Sequence, residues 1–128
     1  MRILGIDYGQ AKMGLAIADA RLAEPYKVIR YKSPTEINQK IVDVVRVEGI
    51  EKVVVGVSEG KMAEESANFG SVLASVLSVP VETYDETLST HEAQSLSIAA
   101  GIGPKRRKEM EDAYAAAIIL QSYLDSNQ

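Results

Sequence analysis

Arg2-Ile3-Leu4-Gly5-Ile6-Asp7-Tyr8 is followed at once by Gly9-Gln10 and then by the run Met13–Ala18, MGLAIA. The first segment is apolar on both faces until its last two residues, the pattern of a central strand. Gly9 and Gln10 supply a turn, and MGLAIA reads as a second strand, so the two form a hairpin. Asp7 is the anomaly. A carboxylate that closes an apolar run is costly unless something neutralises it, and a strand end offers it few structural uses.

Working outward, Pro25 precedes an alternating run, Tyr26–Tyr31 (YKVIRY), that suits an edge strand. Ser33 is a good helix cap with Pro34 at the first helical position and Glu36 three residues after the cap. Ile37, Ile41, Val44 and Val45 then recur at helical spacing up to Gly49. Glu51–Val57 (EKVVVGV) is a buried strand, joined through that helix and therefore parallel to its neighbour. Residues 61–78 form a second helix, which Pro80 stops before a short strand, Val81–Tyr84, running into Asp85 and Glu86. Thr87–Ile98 has helical character. Ala100–Lys108 (AGIGPKRRK) reads as a loop, and a last helix runs from about Glu109 to Leu124. Its middle, AYAAAIIL, is apolar on nearly every face, so it packs on most sides. Antiparallel strands followed by strand–helix units give an α/β fold: a mixed five-stranded sheet with helices on its faces.

At 128 residues the chain is one domain, residues 1–128, and its 46% hydrophobic and 25% charged residues are those of a soluble globular protein. No apolar run is long enough for a membrane span, and strand-like sequence begins right after Met1 with no signal peptide, so a cytoplasmic protein without a membrane partner is expected. Cysteine is absent, which excludes thiolate metal sites and a cysteine nucleophile. The net charge of −4 argues mildly against a protein that coats nucleic acid.

Three acidic sites are placed to converge: Asp7, the Asp85–Glu86 pair at another strand's carboxyl end, and Asp112 in the first turn of the apolar helix. Such hard oxygen donors, with a phosphate, suit Mg2+ or Mn2+. Two ions roughly 3.5–4 Å apart activate a water and stabilise the leaving oxygen of an in-line displacement, with no side-chain nucleophile needed. The bland alternatives are real. The chain has eighteen acidic residues; Asp112 also complements a helix dipole, and Asp85 also suits a turn. Lys105, Arg106, Arg107 and Lys108 are the one dense basic cluster, a candidate phosphate grip beside Asp112, and Lys12 has the same claim beside Asp7. His91 reads as a partly exposed helix residue rather than a proton shuttle.

Taken together, ILGIDYGQAKMGLAIAD, VVVGV, YDETLSTHEA and EDAYAAAIILQSYLD resemble, in order and end to end, the YqgF (RuvX) family of candidate pre-16S rRNA nucleases and Holliday-junction-resolvase-like proteins of bacteria. The resemblance implies a ribonuclease-H-like fold and divalent metal. It carries the family's acidic triad onto Asp7, Glu86 and Asp112 as catalytic and metal-binding residues, and it assigns Gly9 and Gly14 to the turn structure of the first motif. The sequence departs from the family where Ala11 and Thr87 stand in place of commonly basic residues. The expected function is metal-dependent cleavage of structured RNA in 5′ maturation of pre-16S rRNA, by a monomer or homodimer. Resolution of branched DNA is the alternative, and a non-catalytic nucleic-acid-binding module is the alternative of another class. The GIDYG hairpin also resembles the phosphate loop of actin-like ATPases, but one domain of this size leaves no second lobe to close on a nucleotide.

Overall fold

The apolar run at the N-terminus forms β1 (Arg2–Asp7), and the chain turns back through β2 (Lys12–Asp19) and β3 (Leu22–Arg30). There follow α1 (Pro34–Val47), β4 (Lys52–Val57), α2 (Lys61–Val76), β5 (Val81–Asp85), a short α3 (Pro104–Glu109) and the long α4 (Glu111–Ser126). The structure, a computed structural model, describes residues 1–57, 61–86 and 103–127, apart from the side chains of Lys61, Pro104 and Arg107. The helix expected over Thr87–Ile98, with His91 and Thr87, lies outside the described residues.

The five strands make one mixed sheet in the order β3-β2-β1-β4-β5. β1, β2 and β3 are antiparallel, whereas β4 and β5 join in parallel through helical crossovers. This is the expected topology. Ser33 caps α1, its hydroxyl accepting from the Glu36 N–H at 3.2 Å, and Pro34 opens the helix. The Glu36 carboxylate reaches back one residue further than expected, to the Lys32 N–H.

Two elements differ from the sequence reading. β3 begins at Leu22, before Pro25, because the β2–β3 register slips between Leu15 and Ala16 and leaves Tyr26 as an extra residue. A bulge on an edge strand tolerates a residue with no N–H to donate. Residues 104–108, expected within a loop, are helical: Gly103 takes the extended cap conformation and Pro104 presets the first turn.

Strand alternation divides the core by side-chain size. Leu4, Ile6, Met13, Leu15, Val53 and Val55 face one side, packing against Ile37, Ile41 and Val44 of α1 and Phe69 and Leu73 of α2. The other side carries Ile3, Ala16, Ala18 and Val54 against Ala116, Ala117, Leu120 and Tyr123 of α4. Gly5 belongs to that second face, where a Cβ would lie 2.8 Å from the Leu120 Cβ. Small residues on both partners let α4 lie close against the sheet, so helices cover both faces as expected.

Candidate functional site

Alternation also decides where Asp7 points. It shares its face with Ile3 and Gly5, so its carboxylate lies on the α4 side, at the carboxyl end of β1. Asp112 stands in the first turn of α4, over the same end of the sheet. Glu86 immediately follows β5, whose Tyr84 hydroxyl lies 2.8 Å from Ser122 Oγ on α4. Of the Asp85–Glu86 pair, it is Glu86 whose charge and hydrogen bond act on Asp7. Ligands in open α/β sheets bind at this end of the strands.

The carboxylates act on one another. The Asp7 carboxyl is pushed up to about 7, first by burial, then by the negative charges of Glu86 and Asp112 and by a hydrogen bond to Glu86. A hydrogen bond between two carboxyl groups needs a proton between them, as expected when like charges are crowded without a cation. Lys12 supplies a positive charge from the first residue of β2: its Nζ lies 3.0 Å from Asp112 Oδ2. Among the described residues, no three acidic or histidine side chains are gathered tightly enough to form a ready-made ion site. The donor set nonetheless fits a divalent cation. All three groups are hard oxygen donors, and the burial and repulsion that raise Asp7 are what a bound cation relieves.

The turn that presents Asp7 is tied down from three directions. The Tyr31 hydroxyl donates to the Gly9 carbonyl, and the Tyr31 N–H donates to the Ala11 carbonyl at 3.2 Å. The Gln10 amide donates to Glu65 on α2 at 3.3 Å, and the Tyr8 ring packs on Phe69 with centroids 5.4 Å apart. Sequence reasoning misses Tyr31. Its one signal is to be the last aromatic of YKVIRY, which says nothing of the turn it meets.

Gly9 is required by a close approach: a Cβ there would stand 2.4 Å from the Lys12 carbonyl oxygen. Gly14, expected with the turn, lies inside β2 opposite Asp7 instead. A Cβ on it would fall 1.8 Å from the Asp112 carbonyl oxygen, so its bare backbone is the seat on which the start of α4 rests. Lys105, Arg106 and Lys108 are exposed on α3, which leads through Met110 into α4, and they form no ion pair with another described residue. The Arg107 side chain lies outside the described residues.

A mixed sheet in this strand order, with carboxylates meeting at the strand ends, defines a ribonuclease-H-like fold of the RuvC kind. RuvC of Thermus thermophilus, in complex with Holliday junction substrate, matches with a TM-score of 0.68 over 100% of this chain and 97% of that one, at 20% identity. The family profile described as "RuvX: Holliday junction resolvase" matches residues 1–126, and the chain belongs to the RuvX family. A Pelotomaculum thermopropionicum relative, named as a candidate pre-16S rRNA nuclease, is 41% identical over 98% of this chain and 88% of its own length. A Syntrophus aciditrophicus relative of the same name is 37% identical over 98% of this chain and 89% of its own length. The resemblance read from the sequence is thereby borne out.

Proposed function

We propose that the protein is a divalent-metal-dependent endonuclease that hydrolyses phosphodiester bonds in structured RNA, acting in 5′ maturation of pre-16S rRNA. The observation that carries the reading is the action of Glu86 and Asp112 on Asp7 at the carboxyl end of the sheet. Asp7, Glu86 and Asp112 are the proposed metal ligands and catalytic residues, for Mg2+ or Mn2+, as two ions. Bound there, the ions would supply an activated water and stabilise the leaving oxygen. The chain's own residues do the positioning. The Gly9 turn, clasped by Tyr31, fixes Asp7 against the sheet. The Gly14 seat fixes Asp112.

Lys12 and the Lys105–Lys108 cluster are the proposed phosphate contacts, flanking the carboxylates from β2 and from the helix before α4. Among the described residues no helix is long and apolar enough to cross a membrane. The names of the relatives favour ribosomal RNA as substrate, and with it a place of work in the cytoplasm.

The test is cleavage of a labelled pre-16S RNA fragment and of a four-way DNA junction, each with Mg2+ or Mn2+. Cuts confined to the RNA support the reading. Symmetric cuts in the junction would establish the resolvase instead, by a dimer that presents one site to each strand. No cleavage of either substrate with either metal would overturn the nuclease assignment. Neutralising Lys105 to Lys108 is expected to weaken RNA binding and to flatten its dependence on salt, by roughly one unit of log–log slope for each phosphate no longer neutralised.

A further inference from the structure

We propose that Lys12 is the resident counter-ion of the carboxylate site: its ammonium holds Asp112 until a divalent cation displaces it, and the released ammonium then takes a substrate phosphate. The inference rests on the metal-nuclease reading above and assigns Lys12 two successive partners.

The geometry supplies the first partner. Lys12 Nζ lies 3.0 Å from Asp112 Oδ2, with both side chains part-exposed. Lys12 starts β2 on the face that α4 covers, and its backbone is held by the turn that Tyr31 clasps, so the ammonium is delivered to Asp112 by the fold. A divalent cation bonds carboxylate oxygen directly, at about 2.1 Å for Mg2+. It carries twice the charge of an ammonium and repels it at such range, so the two compete for Asp112.

Chemistry supplies the second partner. An ammonium on a flexible four-carbon stem re-aims at little expense, and it is a point charge with no demand for the planar fork of arginine. With a cation on Asp112, the ammonium would be free to meet a phosphodiester drawn to the same site. Metal and substrate therefore favour one another through Lys12. The ammonium that opposes metal binding in the free protein assists substrate binding in the loaded one.

Arg30 provides a control. It is the cross-strand neighbour of Lys12 in the β2–β3 pair, is exposed, and forms no ion pair with another described residue. Removing it changes the net charge as much as removing Lys12 does, without touching Asp112.

The experiment titrates Mn2+ alone, by calorimetry, into the wild-type chain and into Lys12→Met, Lys12→Gln, Lys12→Arg and Arg30→Met, each checked for folding by circular dichroism. Lys12→Met and Lys12→Gln are expected to bind Mn2+ about two- to five-fold more tightly, the worth of one part-exposed ion pair. Lys12→Arg should stay within about two-fold of wild type, and Arg30→Met should change less than either neutral Lys12 variant. At saturating metal, the neutral Lys12 variants should raise KM for the cleaved nucleic acid with kcat little changed. Unchanged or weaker Mn2+ binding in both neutral variants would overturn the proposal, as would equal tightening in Arg30→Met. Wild-type protein that binds no Mn2+ would instead overturn the metal-nuclease reading on which the proposal stands.

Discussion

The two ends of β1 carry opposite chemistry. At its start, Arg2 is surrounded by groups that answer it. Its Nε donates to the Glu48 carbonyl at 2.7 Å, and its two Nη atoms reach Glu48 at 3.0 Å and Asp19 at 3.4 Å. The Arg2 N–H donates to Glu51, and the Tyr26 hydroxyl completes the pairing of Glu48. At the other end, Asp7 meets Glu86 and Asp112, charges of its own sign, and the Lys12 ammonium sits on Asp112 rather than on Asp7. Opposite charges with satisfied hydrogen bonds hold a fold together. Like charges gathered at a half-buried strand end work against it, and a sequence keeps them where the chemistry needs them.

The largest expected effect lies at the Asp7 end. Asp7→Asn, Glu86→Gln and Asp112→Asn should each lower cleavage by about 10^3-fold or more, since a metal ion supplies several kcal/mol of transition-state stabilisation. Circular dichroism should remain that of the wild type, because none of the three fills the core. Rates within about ten-fold of wild type would erase the distinction between the two ends.

Gly14→Ala comes next, since the added methyl collides with the backbone of Asp112 rather than with a flexible side chain. It should destabilise the protein by about 1–3 kcal/mol and also reduce cleavage, whereas Gly5→Ala, against Leu120, should cost similar stability and spare more activity. Equal activity losses in the two would mean that Gly14 acts on packing alone. At the opposite end, Arg2→Met should lower stability by about 1–2 kcal/mol in urea titrations and leave kcat unchanged.

The last effect is one of pH. The Asp7 carboxyl titrates in the folded chain at about 7, well above its ordinary 3.8. Between those values the native state binds more protons than the unfolded one, so metal-free stability from this group falls as pH rises from about 4 to about 7. Melting in chelator at about pH 5 and about pH 8 should therefore show a downward contribution that Asp7→Asn removes and that Mg2+ opposes. An identical pH slope in Asp7→Asn would locate the effect elsewhere.

Much of this contrast is legible in RILGIDY itself. A run apolar on both faces has to be a central strand, and an unpaired carboxylate closing it has to be explained. Ser33-Pro34 and the 37–41–44 spacing are equally direct, because capping and helical period act over a few residues. What escapes detection depends on distant partners. Lys12 stands beside Asp7 in sequence, whereas its ammonium sits on Asp112, a hundred residues on. That pairing requires the face of β2 and the start of α4 together. Tyr31 looks like the end of an edge strand, and its hydroxyl proves to hold the turn after Asp7. The KRRK cluster reads as loop because glycine and like charge both oppose helix, but Pro104 at the first position and the adjoining α4 outweigh them. In the sequence, resemblance alone selects Glu86 over Asp85, and the hydrogen bond between Glu86 and Asp7 gives that choice a physical basis.

The extra residue at Tyr26 has a consequence for the crowded interior of a cell. β3 is an open margin of the sheet, a row of backbone groups that offers another chain's strand a place to grow. Pro25 removes a donor from that row, the bulge beside it breaks the straight register, and the exposed charges of Lys27 and Arg30 stud the remainder. Growth by strand addition needs a flat, uncharged margin, and this one is neither. The irregularity in β3 thus makes this margin a poor template for another chain's strand.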